Sequence, residues 1–130
     1  MGNKGLVGPG GVQWMTAGSG VEHDEGPSEA FSARGGVMHA FQLWVNLPMH
    51  MKMCDPSYSD IQADAIPTVA VAAGVSARVI GGECAGARGP LNTTAPITYL
   101  HVTCEPGAAA ASLPLPPDVN GLVYVFRGRG

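Results

Sequence analysis

The clearest periodicity in the chain is VMHAFQLWVNL, residues 37–47. In an extended chain, successive side chains point to opposite faces. His39, Phe41, Leu43, Val45 and Leu47 therefore share one face, and Met38, Ala40, Gln42, Trp44 and Asn46 share the other. The pattern predicts a strand whose first set turns toward a core, with His39 inward and Gln42 outward, ended by Pro48. VQWMT, residues 12–16, has the β-branched and aromatic content of a strand; it is entered through GPGG and left through AGSG, both turn clusters. GVSARVIGG (74–82), PITYLHVTCEPG (96–107) and GLVYVFRG (121–128) predict further strands, separated by turns such as LPLPPDVNG. Residues 48–73 lose the alternation and carry Pro48, Pro56 and Pro67, which predicts a long connector and a domain boundary. GAAAAS, residues 107–112, is too short and too close to prolines to stand as a helix. Short strands at this spacing predict a sandwich or a barrel.

Composition agrees. Gly (19) and Pro (11) are abundant among the 130 residues, as expected for many short elements joined by turns. Hydrophobic residues at 45% argue against disorder, and charged residues at 13% are about half the usual share. A net charge of −3 with no cluster of Lys or Arg leaves no footprint for phosphate backbones or anionic lipid, so direct nucleic-acid and membrane partners are not expected. MGNKGLVGPGG lacks a signal-peptide core, and the apolar stretch TVAVAAGVSARVIGG is interrupted by Arg78 and glycines. Cys54, Cys84 and Cys104 are odd in number, widely spaced and without a C-x-x-C pair, which indicates neither a disulfide framework nor a cysteine zinc site. An intracellular setting is expected.

The chemistry centres on His23 and Glu25. If these residues lie on a strand, both project to one face with Cα atoms about 6.5 Å apart and can reach one ion. Imidazole with carboxylate suits Fe(II), but a non-haem oxygenase site needs at least three protein ligands. An inward His39 is a possible third donor, although a core histidine held by a hydrogen bond is the commoner case. A bare H-x-E is most often two solvated polar residues. His50 and His101 have no partner pattern, and His101 is expected to be exposed. Trp14 and Trp44 read as core or rim aromatics, and the three cysteines as buried or idle thiols. GPGG and GARGP have no following helix and so predict no phosphate loop. No catalytic or organic-cofactor residue is assigned.

The blocks GPGGVQWMTAGSGVEHDEGPSE, HAFQLWVNLP, YSDIQADAIP, GVSARVIGGECAGARGP, TTAPITYLHVTCEPGA and LPLPPDVNGLVYVFRGRG resemble, in order, the pirin family of two-barrel cupins. QWMTAGSG followed by H-x-E carries the resemblance most specifically. It implies an all-β bicupin of two jelly-roll barrels with one metal, usually iron, in the N-terminal barrel. Residues 1–47 would be the C-terminal part of that barrel, 48–73 the inter-barrel connector, and 74–130 the N-terminal part of the second barrel. The chain would then be the middle of a pirin, truncated at both ends. The family site uses three histidines and one glutamate; the H-x-E half matches His23 and Glu25, and the residue matching His39 is not a ligand. This chain contains no H-x-H, so the other half is expected upstream and the site is expected to be incomplete, with Fe(II) or another divalent metal weakly held or absent. The implied activity is quercetin (flavonol) 2,3-dioxygenation, with a flavonol-like small molecule as partner. The alternative is a non-catalytic nuclear transcriptional co-regulator acting through a protein partner. The implied location is cytoplasm, nucleus or both.

Overall fold

VQWMT forms a strand with turns at both ends, as its composition predicts. This is β1 (Val12–Thr16), and it pairs antiparallel with β2 (Ser57–Ile61) in a register from Val12 opposite Ile61 to Thr16 opposite Ser57. The computed structural model describes residues 4–113 and 115–129. After β1 comes a short helix, α1 (Glu29–Arg34). A second, three-stranded antiparallel sheet is ordered β3 (Thr68–Ala72), β4 (Val75–Gly81), β7 (Tyr99–Cys104). Between β4 and β7 lies a small hairpin of β5 (Glu83–Cys84) and β6 (Ala87–Arg88). Its two-residue turn has positive φ at Ala85 (46°) and Gly86 (79°), the twist that tight hairpins favour.

β4 organises the core because it buries both faces. Ala77 and Val79 join Cys84 in one cluster, flanked by Val69, Val71, Leu100 and Val102. Ile80 points the other way and packs with Ile61, Ile66 and Leu91, beside Val12, Trp14 and Tyr99. The β4–β7 register shifts between Val79 and Gly81, and the Ile80 carbonyl accepts instead from Leu91 N at 3.1 Å. Arg78, which interrupts the apolar run in the sequence, donates from its guanidinium to the carbonyls of Gly10 (2.8 Å) and Ala63 (3.2 Å). It thereby ties β4 to the turn before β1 and to the 3₁₀ turn Ala63–Ala65. Its stem packs while its charged head finds acceptors, so an arginine fits in this strand.

The predominance of strands matches the expected all-β class, as do the strands predicted over 12–16, 74–82 and 96–107. The structure departs from the sequence pattern in three places. First, residues 48–73, whose sequence lacks strand alternation, nevertheless supply β2 and β3, with two 3₁₀ turns. Second, among the described residues neither 37–47 nor 121–128 forms a paired strand; the two segments approach each other through aromatic side chains without strand pairing of their backbones. The alternation survives only as a difference in exposure: Phe41, Leu43 and Val45 are 44–48% exposed, Met38 67% and Trp44 91%. Third, residues Glu29–Arg34 form a helix, α1, in a stretch where the hydrophobic pattern predicts none. Ser28 caps it by accepting from Phe31 N at 3.1 Å, Glu29 lies in its first turn and Arg34 in its last, and Gly35 (φ 72°) ends it. The run 107–112 is non-helical, as expected.

Candidate metal centre

The glycine corner after β1 delivers the candidate ligands. Gly18 (φ 52°) and Gly20 (φ 131°) adopt backbone angles that L side chains rarely take, and Ser19 N donates to the Cys54 carbonyl at 2.9 Å. The chain then runs through Glu22, His23, Asp24 and Glu25 to the cap of α1. Residues 21–27 form a loop, so the strand expected under His23 and Glu25 is not observed. The juxtaposition expected of the pair is nevertheless present: His23 Nε2 lies 3.6 Å from Glu25 Oε1. Their side chains are 45% and 58% exposed, so mutual attraction alone contributes little to stability.

Glu25 has a second neighbour that the sequence pattern did not suggest. Gln42 Nε2 donates to Glu25 Oε2 at 3.3 Å, although alternation had placed Gln42 on the outward face with no role. Tyr58 on β2 also senses this charge. Its hydroxyl donates to Asp60 Oδ1 at 2.6 Å, and its pKa is pushed up to about 12 by burial, then by the Asp60 hydrogen bond and charge, then by Glu25. Tyr58 lies on β2, far from Glu25 in sequence, so no local signal linked the two. Burial also raises the Tyr99 phenol.

The remaining candidates lie apart from the pair. His39, expected to face inward, is exposed, with its ring centroid 5.2 Å from that of Phe41 and 5.9 Å from that of Phe126. His101 is half-buried on β7 rather than exposed, with Phe126 at 5.5 Å. His50 sits in the 3₁₀ turn Met49–Met51. Trp14 packs against the Ile80 cluster, whereas Trp44 is exposed. All three cysteines are free: Cys84 buried, Cys54 half-buried and Cys104 exposed. Among the described residues no group of three or more His, Cys, Asp or Glu is placed to hold a metal, and no helix is long and apolar enough to cross a membrane. An imidazole nitrogen beside a carboxylate oxygen is a donor set that suits a divalent first-row ion; it fits part of such a site.

The Tyr58 environment gives a testable titration. The folded phenol titrates near 12 against 10.0 in the unfolded chain, so the neutral form is favoured on folding. The associated stability is present below pH 10.0 and lost as pH rises toward about 12. Ultraviolet titration of tyrosinate should therefore show a late component that disappears in Tyr58→Phe and moves to lower pH in Asp60→Asn. A titration unchanged by either substitution would refute the Tyr58–Asp60 contact.

A family model described as Pirin matches residues 1–45. A pirin-like protein of Arabidopsis thaliana is 41% identical over 131 residues, covering 99% of this chain and 41% of that protein. A putative quercetin 2,3-dioxygenase of Pseudomonas aeruginosa is 42% identical over 129 residues, covering 98% of this chain and 44% of that protein. The crystal structure of quercetin 2,3-dioxygenase from Acinetobacter baumannii superposes with a TM-score of 0.64 at 48% identity, covering 68% of this chain and 31% of that one. The fold is thus of the all-β cupin class. The chain belongs to the pirin family and spans less than half the length of the curated relatives it matches.

Proposed function

We propose that this chain forms part of a pirin-type, metal-dependent oxygenase that takes a flavonol-like diphenolic small molecule, with Fe(II) as the metal. The observation that carries the reading is the approach of His23 Nε2 to Glu25 Oε1 at 3.6 Å, on a loop within the stretch matched by the family model. The name of the Pseudomonas relative and that of the Acinetobacter structure supply the substrate class. His23 and Glu25 are the residues that would hold the ion. Fe(II), when bound, supplies the chemistry with dioxygen that protein side chains lack. The chain's own contribution is to present one nitrogen and one oxygen donor from a loop fixed at one end by the glycine corner and at the other by the α1 cap.

Two donors fall short of the three that such a site needs, and affinity follows ligand count and the groups that orient each ligand. The proposal therefore includes further donors, an H-x-H pair, from sequence beyond these 130 residues, and a division into barrel parts at 1–47 and 74–130. The 130-residue chain should retain little iron after dialysis and consume no oxygen with quercetin. A longer form carrying an H-x-H should retain about one metal per chain, and His23→Ala should abolish it. Stoichiometric iron in the short chain, lost on Glu25→Ala, would overturn the incomplete-site reading and place a third donor within it, with His39 first to be tested.

A second reading is favoured by a different observation. Trp44, Leu122, Val123 and Tyr124 are 70–91% exposed, an apolar surface suited to a protein partner. On this reading the chain belongs to a regulatory protein rather than an enzyme. Oxygen uptake by the metal-loaded longer form separates the two: turnover with quercetin favours the oxygenase, and its absence in a fully loaded protein favours the regulator.

A further inference from the structure

Gln42 reaches the donor pair from a segment seventeen residues away, placing Nε2 at 3.3 Å from Glu25 Oε2. A carboxylate can only accept, so the amide must turn its NH₂ toward it. The two oxygens of Glu25 thereby become unlike. Oε1 faces His23 Nε2 at 3.6 Å, and Oε2 is engaged by the amide. We propose that Gln42 is a positioning residue for the His23–Glu25 pair, holding Oε2 so that Oε1 is the oxygen presented, with His23 Nε2, to a divalent metal ion. The inference rests on the reading of His23 and Glu25 as metal donors. It adds what orients the carboxylate and through which oxygen it binds.

Three physical arguments favour an amide for this task. Glu25 is 58% exposed and stands on a loop, so without a partner its carboxylate can rotate and either chelate through both oxygens or swing into water. An anchored Oε2 removes both alternatives and leaves one more coordination position open on the ion. The amide is also neutral. A lysine or arginine in its place would hold the carboxylate equally well while opposing the charge of the incoming cation. Lys52 donates to Asn46 Oδ1 at 2.6 Å, and no ion pair links it to Glu25. Finally, the bond joins the loop after β1 to residues 37–47, a segment with no strand pairing of its own. Orientation of the ligand and placement of that segment are thus coupled.

The experiment is a Mn(II) titration of the 130-residue chain, followed by electron paramagnetic resonance, with thermal melting of each variant. Gln42→Met keeps the length of the side chain and removes the donor. The wild-type chain should bind Mn(II) weakly, and both His23→Ala and Glu25→Ala should lose that binding. Gln42→Met should weaken it about tenfold and change the line shape of the bound ion, with melting unchanged. Trp44→Ala, at a position 91% exposed on the same segment, should match the wild type. Equal affinity and line shape in Gln42→Met would overturn the role of Gln42 and leave the donor pair standing. Equal binding by wild type and His23→Ala would overturn both. A loss of affinity matched by an equal loss in Trp44→Ala, or by a lowered melting temperature, would make Gln42 merely structural and also overturn the proposal.

Discussion

Ile80→Ala is expected to lower the free energy of unfolding by about 2–5 kcal/mol, the range for truncating a buried branched side chain. Ile80 is 5% exposed and packs with Ile61, Ile66 and Leu91, which come from the end of β2, the turn after it and the bridge that follows β6. These four residues join the β1–β2 pair to the central sheet. Removing Ile80 therefore opens a cavity where two sheets meet, rather than at an edge where neighbours can collapse inward. Relaxation is further limited by the backbone, since the Ile80 carbonyl is held by Leu91 N at 3.1 Å. In a urea titration the midpoint should fall with little change in slope, while Val123→Ala, at a position 89% exposed, should stay within about 0.5 kcal/mol of wild type. Equal midpoints for the two variants would show that the Ile61–Ile66–Ile80–Leu91 cluster is not a packed core.

The strands that local pattern could identify are those with glycine turns at their ends and β-branched residues within. β1, β4 and β7 meet that description and are found where expected. SYSDI gives no strand signal of its own, since it carries a single aliphatic residue, Ile61, and only that position is buried in β2. What makes it a strand is its partner β1, and pairing is not written in the segment itself. The same reason explains the opposite error. VMHAFQLWVNL and GLVYVFRG have stronger alternation than β2, yet periodicity specifies a face, not a neighbour. Their side chains meet instead through rings, with Phe41 5.1 Å from Phe126 and 5.7 Å from Tyr124. α1 had a readable signal in Ser28, Glu29 and Gly35, but six residues are too few for helical periodicity to show. In the candidate site, spacing alone brought His23 to Glu25. Gln42, seventeen residues beyond Glu25, and Tyr58, across the β1–β2 pair, are brought in by the fold and had no local signature.

Gly18→Ala should destabilise the chain by about 2–4 kcal/mol and carry the metal donors with it. Two effects combine at this position. The φ of 52° is left-handed, which costs a residue with a Cβ about 1–2 kcal/mol. In addition, a Cβ built on Gly18 would overlap the Cys54 carbonyl oxygen, which is backbone and cannot swing aside. Relief requires the corner to lift away from Cys54, and the 2.9 Å bond from Ser19 N to that carbonyl is lost, a further contribution of about 1 kcal/mol. Gly20 and Gly26 separate these effects. Gly20 has φ of 131° but open space around its would-be Cβ, so Gly20→Ala reports backbone strain alone. Gly26 has neither constraint, and Gly26→Ala should be within about 0.5 kcal/mol of wild type. Because His23 follows this corner by five residues, Mn(II) affinity should fall in Gly18→Ala and hold in Gly26→Ala. A Gly18→Ala chain as stable as Gly26→Ala would mean that the corner does not rest on Cys54, and the loop bearing His23 and Glu25 would then lack the anchor assigned to it.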